Sequence, residues 1–171
     1  IGLASKEGYN EAFSKYFNGT VMESNMKWGT FELDNNDKAR KNMTAAKKLG
    51  ALYLRDHAII YDRHMHSSTQ RLIPDDVVMA IKEGNMDYVD ERTKGWIYRI
   101  SDLFAGEFHE IDVTNEISVA YKTDRVYKDS AGNDVMCYGV SYYNTIGPEY
   151  YDKIFKWTRE VNPDAKLCFT D

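Results

Sequence analysis

Short apolar runs alternate with longer amphipathic ones along the chain, and this leaves few architectures open. Successive β-α units bury a parallel sheet beneath helices. Residues 1–5 form a small apolar run, followed at helical spacing by Tyr9, Ala12, Phe13, Tyr16 and Phe17, then by a strand-like run over 19–23. Residues 34–36 supply N-cap side chains, Ala39, Met43, Ala46 and Leu49 recur every three or four positions, and Gly50 sits at a C′ position, predicting a helix over 36–49. Residues 51–61 are rich in β-branched and aromatic side chains and alternate poorly, as a strand buried on both faces would. After Pro74, with Asp75 and Asp76 in a first turn, Val77, Val78 and Ile81 open a helix. Gly84 is placed to interrupt it, Trp96, Ile97, Ile100, Leu103 and Phe104 resume it, and Gly106 ends it. Residues 110–115 are a fourth strand, and 122–135 a polar excursion with a Ser130-Ala131-Gly132-Asn133 turn. Pro148 opens a last helix with Tyr151, Ile154 and Phe155 on one face, Pro163 stops it, and 165–170 is a fifth strand.

Five strands and four helical segments fit either a doubly wound sheet or the opening of a (β/α)8 barrel. A whole barrel takes about 250 residues, so 171 residues predict an open sheet or part of a barrel. A composition of 43% hydrophobic and 29% charged residues is that of one soluble globular domain, without repeat or linker. With 22 basic against 27 acidic side chains the net charge is −5, which argues against a nucleic-acid binder with a concentrated basic face. Apolar runs such as 58–60 are too short to span a bilayer, and residues 1–20 lack a signal-peptide pattern, so no membrane association is expected. Cys137 and Cys168 form neither a CxxC pair nor a disulfide framework. Thirteen tyrosines and three tryptophans exceed what a minimal core needs and suit a surface that stacks flat ligands or sugars.

Neither GxGxxG nor GxxxxGK[ST] occurs, so no nucleotide cofactor is expected. His57, His64 and His66 lack the HExxH spacing, and an i, i+2 pair chelates only in extended backbone, so no metal is expected either. Two glycosylation sequons, at Asn18 and Asn42, are short enough to arise by chance. The informative residues fall at the carboxyl ends of the expected strands, where α/β proteins build their sites: Glu23, His57, Asn115 and Glu116. A carboxyl group beside an amide at such an edge can serve as a general acid.

Local context sharpens this. Val21-Met22-Glu23-Ser24-Asn25-Met26-Lys27-Trp28 resembles the E-N-x-M-K-W signature of glycoside hydrolase family 10, the retaining endo-β-1,4-xylanases on a (β/α)8 barrel. Leu54-Arg55-Asp56-His57-Ala58-Ile59-Ile60-Tyr61-Asp62 resembles its R-G-H-x-L-x-W-H strand, and Ile111-Asp112-Val113-Thr114-Asn115-Glu116 its W-D-V-x-N-E strand. Ile146-Gly147-Pro148-Glu149-Tyr150 is similar to the opening of its fourth helix, and the segment from Asn162 through Asp164, Lys166 and Leu167 to Asp171 to its D-P-x-A-K-L-x-x-N-D strand. Ile1-Gly2-Leu3-Ala4 resembles the family's first strand, so the similarity runs in register over essentially the whole chain.

The resemblance implies an α/β fold, the amino-terminal part of a (β/α)8 TIM barrel with about five parallel strands and four helical segments. It implies that Glu116 is the general acid/base and that Asn115 bonds the sugar 2-hydroxyl, with Glu23, Lys27 and His57 lining the subsite of the cleaved sugar. A protonated carboxyl delivers a proton to the glycosidic oxygen while polar neighbours tighten on the hydroxyls of an oxocarbenium-like transition state. Departures alter the pocket: Ser24 replaces an Asn, Asp56 a Gly, Tyr61-Asp62 a Trp-His pair and Ile111 a Trp. The family nucleophile, a Glu ending strand seven, is expected beyond Asp171, whereas retaining cleavage needs two carboxyl groups about 5 to 5.5 Å apart. The expected partners are therefore xylan or xylo-oligosaccharide and a complementary carboxy-terminal half-barrel segment or second chain, and the expected location is secreted or cell-surface. Two other readings are an inverting pair of Glu23 and Glu116 and a non-catalytic carbohydrate-binding module descended from such an enzyme.

Overall fold

A computed structural model describes residues 7–22, 24–33, 37–104, 106–118 and 122–171. The strand expected over 1–5, the caps expected at 34–36 and the candidate residue Glu23 lie outside the described residues. Helix α1 covers Glu7–Tyr16, and strand β1 (Gly19–Met22) follows it. A 3-10 turn at Ser24–Met26 leads into a short helix α2 (Trp28–Leu33), then α3 (Asp37–Lys48) and β2 (Tyr53–Tyr61). Next come a small hairpin of β3 (Met65–Ser67) and β4 (Gln70–Arg71), and helices α4 (Asp75–Glu83) and α5 (Met86–Leu103). Strand β5 (Glu110–Asn115), a second hairpin of β6 (Arg125–Lys128) and β7 (Asp134–Cys137), a π-turn at Tyr142–Ile146, helix α6 (Tyr150–Val161) and β8 (Lys166–Phe169) complete the order.

The main sheet has the order β1-β2-β5-β8 with every neighbouring pair parallel. Order in space equals order in the chain, so each crossover steps the same way. A doubly wound sheet reverses direction at a switch point; the described strands of this one do not. Right-handed crossovers that never reverse leave all the connecting helices on one face, the arrangement of a barrel wall.

The core lies on that helical face. Leu54, Ile60, Ile111 and Val113 of the strands pack with Ala39, Met43 and Ala46 of α3, Val77 and Ile81 of α4, Trp96, Ile97 and Ile100 of α5 and Ile154 of α6. Trp96 ties the layers together: its indole N–H donates to the Ile59 carbonyl at 3.0 Å, and its ring stacks on Trp28 with centroids 5.7 Å apart. Trp28, Trp96 and Tyr142 are fully buried, so much of the aromatic excess fills the core instead of a ligand-stacking surface. The opposite face carries a polar ladder in which Arg55 pairs in register with Glu110, and His57 with Asp112.

Local signals account for most boundaries. The backbone N–H of Gly84, left-handed at φ 71, closes α4 by donating to Ala80 and Ile81, and Asn85 immediately caps α5 by accepting from the Tyr88 N–H. The interruption at Gly84 is therefore real, but the helix resumes at Met86, ten residues before Trp96. At the end of α6, Arg159 Nη1 donates to the carbonyls of Asn162, Pro163 and Ala165 at 2.8 to 3.1 Å, tying the turn that leads into β8 back to the last turn of the helix. The excursion after residue 122 is ordered as the β6-β7 hairpin, its turn held by Asp129 Oδ1 accepting from the Ala131 and Asn133 N–H groups. Its Ser130 to Asn133 turn is where the sequence predicts it.

Candidate functional site

The carboxyl end of β5 brings two of the expected residues, Asn115 and Glu116, to the edge of the sheet beside the end of β2. Tyr61 pairs with Asn115 across the ladder, and the Asp62 N–H donates to the Asn115 carbonyl at 3.2 Å, so β2 and β5 end level. Asn115 is buried in this arrangement. Glu116 follows it with φ 60, a left-handed conformation rare for a side chain with a Cβ, which takes its carboxyl out of the strand's alternation. The Glu116 side chain remains 28% exposed.

His57, expected at the carboxyl end of its strand, stands instead in the middle of β2, in register with Asp112, because the strand runs on to Tyr61; its peptide bond to Ala58 is cis. Its Nδ1–H donates to Asp112 Oδ2 at 2.7 Å, and its ring meets that of Tyr61 edge-on, 5.7 Å between centroids. Lys27, at the step between the 3-10 turn and α2, is nearly buried and carries Nζ 4.3 Å over the other partner of this stack, the Tyr61 ring. Tyr61, where the family pattern has Trp, thus links Lys27 and His57. Glu23 lies outside the described residues, and no geometry is assigned to it.

Two site residues, Arg63 and Asp112, were not singled out from sequence, and a third, Asp56, was noted only as a departure from the family pattern. Arg63, two positions beyond β2, places Nη2 2.5 Å from Glu116 Oε2, an ion pair by distance without hydrogen-bond alignment, and its Nη2–H also donates to His66 Nδ1 at 2.6 Å. Asp112 receives a two-pronged contact from Arg55, Nε to Oδ2 at 2.9 Å and Nη2 to Oδ1 at 2.5 Å, besides the His57 bond. Burial alone raises the Asp112 carboxyl, but the bonds from His57 and Arg55 outweigh it and hold the group below the usual carboxylate range. Asp56 is 2% exposed, its Oδ1 has no hydrogen-bond partner, and burial, then repulsion from Asp112, push it up to about 8. The signal available for Asp56 and Asp112 was a carboxylate inside an apolar strand; for Arg63 there was none, because its partner is far away in sequence.

The other histidines do not converge on one point. His64 donates from Nε2–H to Asp75 at 2.7 Å and accepts the Tyr138 N–H on Nδ1 at 3.1 Å, while His66 accepts from Arg63. Among the described residues no group of three or more His, Cys, Asp or Glu is placed to hold a metal ion, and both cysteines are free thiols. No described helix is long and apolar enough to cross a membrane.

A parallel β/α wall whose described strands run in chain order, with an amide and a carboxyl at the carboxyl end of one strand and an imidazole inside the adjacent one, is part of a (β/α)8 barrel, with Asn115 and Glu116 at the end where that fold builds its sites. The chain belongs to glycosyl hydrolase family 10, whose model matches residues 2–171. It is similar to endo-1,4-beta-xylanase A of Thermotoga maritima, 25% identical over all of this chain and 16% of that protein, and to endo-1,4-beta-xylanase B of Thermotoga neapolitana, 27% identical over 99% of this chain and 43% of that one. Among solved structures, xylanase 10B from Thermotoga petrophila RKU-1 in complex with xylobiose superposes with a TM-score of 0.66 at 26% identity, over 98% of this chain and 45% of that chain. The chain therefore spans less than half the length of these relatives. That likeness and the uniform strand order place the fold as part of a (β/α)8 barrel, the architecture expected from the motifs.

Proposed function

We propose that this chain is the acid/base-bearing part of an endo-1,4-β-xylanase-like retaining glycoside hydrolase. The observation that carries the reading is Glu116, turned out of β5 in a left-handed conformation directly after Asn115, with His57 on the adjacent strand. Glu116 protonates the glycosidic oxygen of an internal xylosidic bond and later takes a proton from water. Asn115, His57, Lys27 and Glu23 hold hydroxyls of the cleaved sugar, in interactions that tighten as the oxocarbenium-like transition state forms. The nucleophilic carboxylate comes from a complementary carboxy-terminal half-barrel segment or second chain. Val21 on β1 and Phe169 on β8, the outer strands of the described sheet, are exposed apolar residues for such a partner to cover. Because polymeric xylan is met outside the cell, the protein acts as a secreted or cell-surface one.

The test is reducing-sugar release from xylan by this chain alone and mixed with a family 10 carboxy-terminal half, with Glu116→Gln as control. Release in the mixture that the substitution abolishes is the expected result. Release by the mixture unchanged in Glu116→Gln removes Glu116 from the role. One contact favours a second reading, a carbohydrate-binding module: Arg63 engages the carboxyl that would have to carry the proton. Xylan affinity with no release from an assembled mixture selects that alternative.

A further inference from the structure

We propose that Arg63 is a positioning residue that separates the two oxygens of the Glu116 carboxyl: Oε2 is held by the guanidinium, and Oε1 is the atom that gives and takes the proton. The role in proton transfer rests on the function proposed above; the grip of Arg63 on Glu116 rests on the geometry alone.

The backbone leading to Arg63 is anchored beside Glu116. Asp62 donates its N–H to the Asn115 carbonyl at 3.2 Å and accepts the Tyr142 N–H on Oδ1 at 2.7 Å, which ties the end of β2 to the point where Glu116 turns out of β5. The Arg63 side chain is only 9% exposed, and its Nη2 lies between Glu116 Oε2 at 2.5 Å and His66 Nδ1 at 2.6 Å, so the guanidinium has a neighbour on each side. Glu116 Oε2 is buried there, and the part of that side chain still open to solvent therefore falls on Oε1 and the methylenes. A guanidinium presents only N–H groups, and a proton on Oε2 would set O–H against N–H. A protonated Glu116 thus carries its proton on Oε1. In cleavage that proton passes to the glycosidic oxygen as the bond from this oxygen to the anomeric carbon breaks, the electron pair staying with the oxygen. The carbon bonds to the nucleophilic carboxylate of the complementary half, and Glu116, left as a carboxylate, takes a proton back on Oε1 from the attacking water. Arg63 touches no sugar in this scheme. Without it the carboxyl turns about its last bonds, and a misplacement of about 1 Å at a reacting group costs on the order of a hundredfold in rate.

The first experiment is the 15N spectrum of the arginine side chains in the chain without ligand. Separate Nη1 and Nη2 signals are expected for Arg63, as for a held guanidinium, and they are expected to shift or merge in Glu116→Ala. Averaged signals, or signals unmoved by that substitution, overturn the proposal. The second experiment is kcat/KM of the chain mixed with a family 10 carboxy-terminal half on two aryl β-xylobiosides, phenyl, whose departure needs a proton, and dinitrophenyl, whose departure does not. Arg63→Ala is expected to lower kcat/KM about tenfold or more further on the phenyl than on the dinitrophenyl substrate, and Arg63→Lys to recover part of that difference. Equal losses on the two substrates mark a structural role and overturn the proposal. The wild-type spectrum decides the contact even if Arg63→Ala does not fold. An assembled wild-type mixture that cleaves neither substrate overturns the proposed function and the proton-transfer role together, and leaves the grip of Arg63 on Glu116 to the spectrum.

Discussion

Asp56 and Asp112 stand on neighbouring strands, both buried, and titrate in opposite directions: Asp56 is pushed up to about 8, whereas Asp112 is held below the usual carboxylate range. The difference lies in their partners. Asp112 faces Arg55 and His57 on the polar side of the sheet, and Asp56, in register with Ile111, has an oxygen with no partner at all.

Stability is therefore expected to fall as pH rises through the Asp56 window. Between about pH 4 and about pH 8 the unfolded chain has released this proton while the folded one keeps it, so folding is progressively penalised and the loss levels off above about 8. The full effect is on the order of a few kcal/mol. Asp56→Asn is expected to flatten this component, and Asp56→Ala to raise the urea midpoint above neutral pH. Urea titrations of both variants over this range check it; a wild-type midpoint that rises through the window instead would show Asp56 ionised and paired.

His64 works the other way. It stacks on Tyr138 and joins β3, α4 and the end of the β6-β7 excursion, and burial, partly countered by Asp75, lowers its pKa. Its contribution is full above the ordinary imidazole value of about 6.5 and is lost as pH falls below that, because the unfolded ring takes up a proton that the folded ring resists. Protonated Nδ1 cannot accept the Tyr138 N–H. Hydrogen exchange of that amide, corrected for intrinsic rate, is expected to accelerate as pH falls below the ordinary imidazole value, and His64→Phe is expected to abolish the dependence.

Trp96 joins helix to sheet by one hydrogen bond and one stack. Trp96→Phe leaves the Ile59 carbonyl without its donor in the core, at a cost of about 1–3 kcal/mol. Trp96→Ala adds a cavity, for about 3–5 kcal/mol. Denaturant unfolding monitored by far-ultraviolet circular dichroism checks both, and equal midpoints for wild type and Trp96→Phe would show the bond to be dispensable.

Gly29 is where α2 crosses β4. A Cβ there would lie 2.7 Å from the Arg71 Cβ and 3.0 Å from its backbone carbonyl atoms. Gly29→Ala is expected to push the β3-β4 hairpin away and cost about 1–3 kcal/mol, as overpacking does. Since Arg63 leads into that hairpin and His66 lies within β3, weaker protection of their amides in hydrogen exchange is the accompanying signature.

Sequence alone determined those parts of the protein whose physics is local. Strand β5 begins and ends where its pattern predicts, α3 falls within a residue at each end, and Gly84 divides two helices, because periodicity, caps and left-handed glycines act over a few neighbouring residues. The motifs also carried the family and the order of Lys27, His57, Asn115 and Glu116 along the chain. Elements of two to six residues, α2, β3, β4, β6 and β7, complete too little of a period to be read, and the excursion was legible only as a turn. Tertiary structure alone decided that the described strands do not reverse direction, that Arg63 meets Glu116, and that Asp112 takes His57 while one Asp56 oxygen is left without a partner. These are relations between residues far apart in the chain. They arise only when strand pairing and register set side chains face to face, and charge and burial then act through space where sequence spacing carries no record of them.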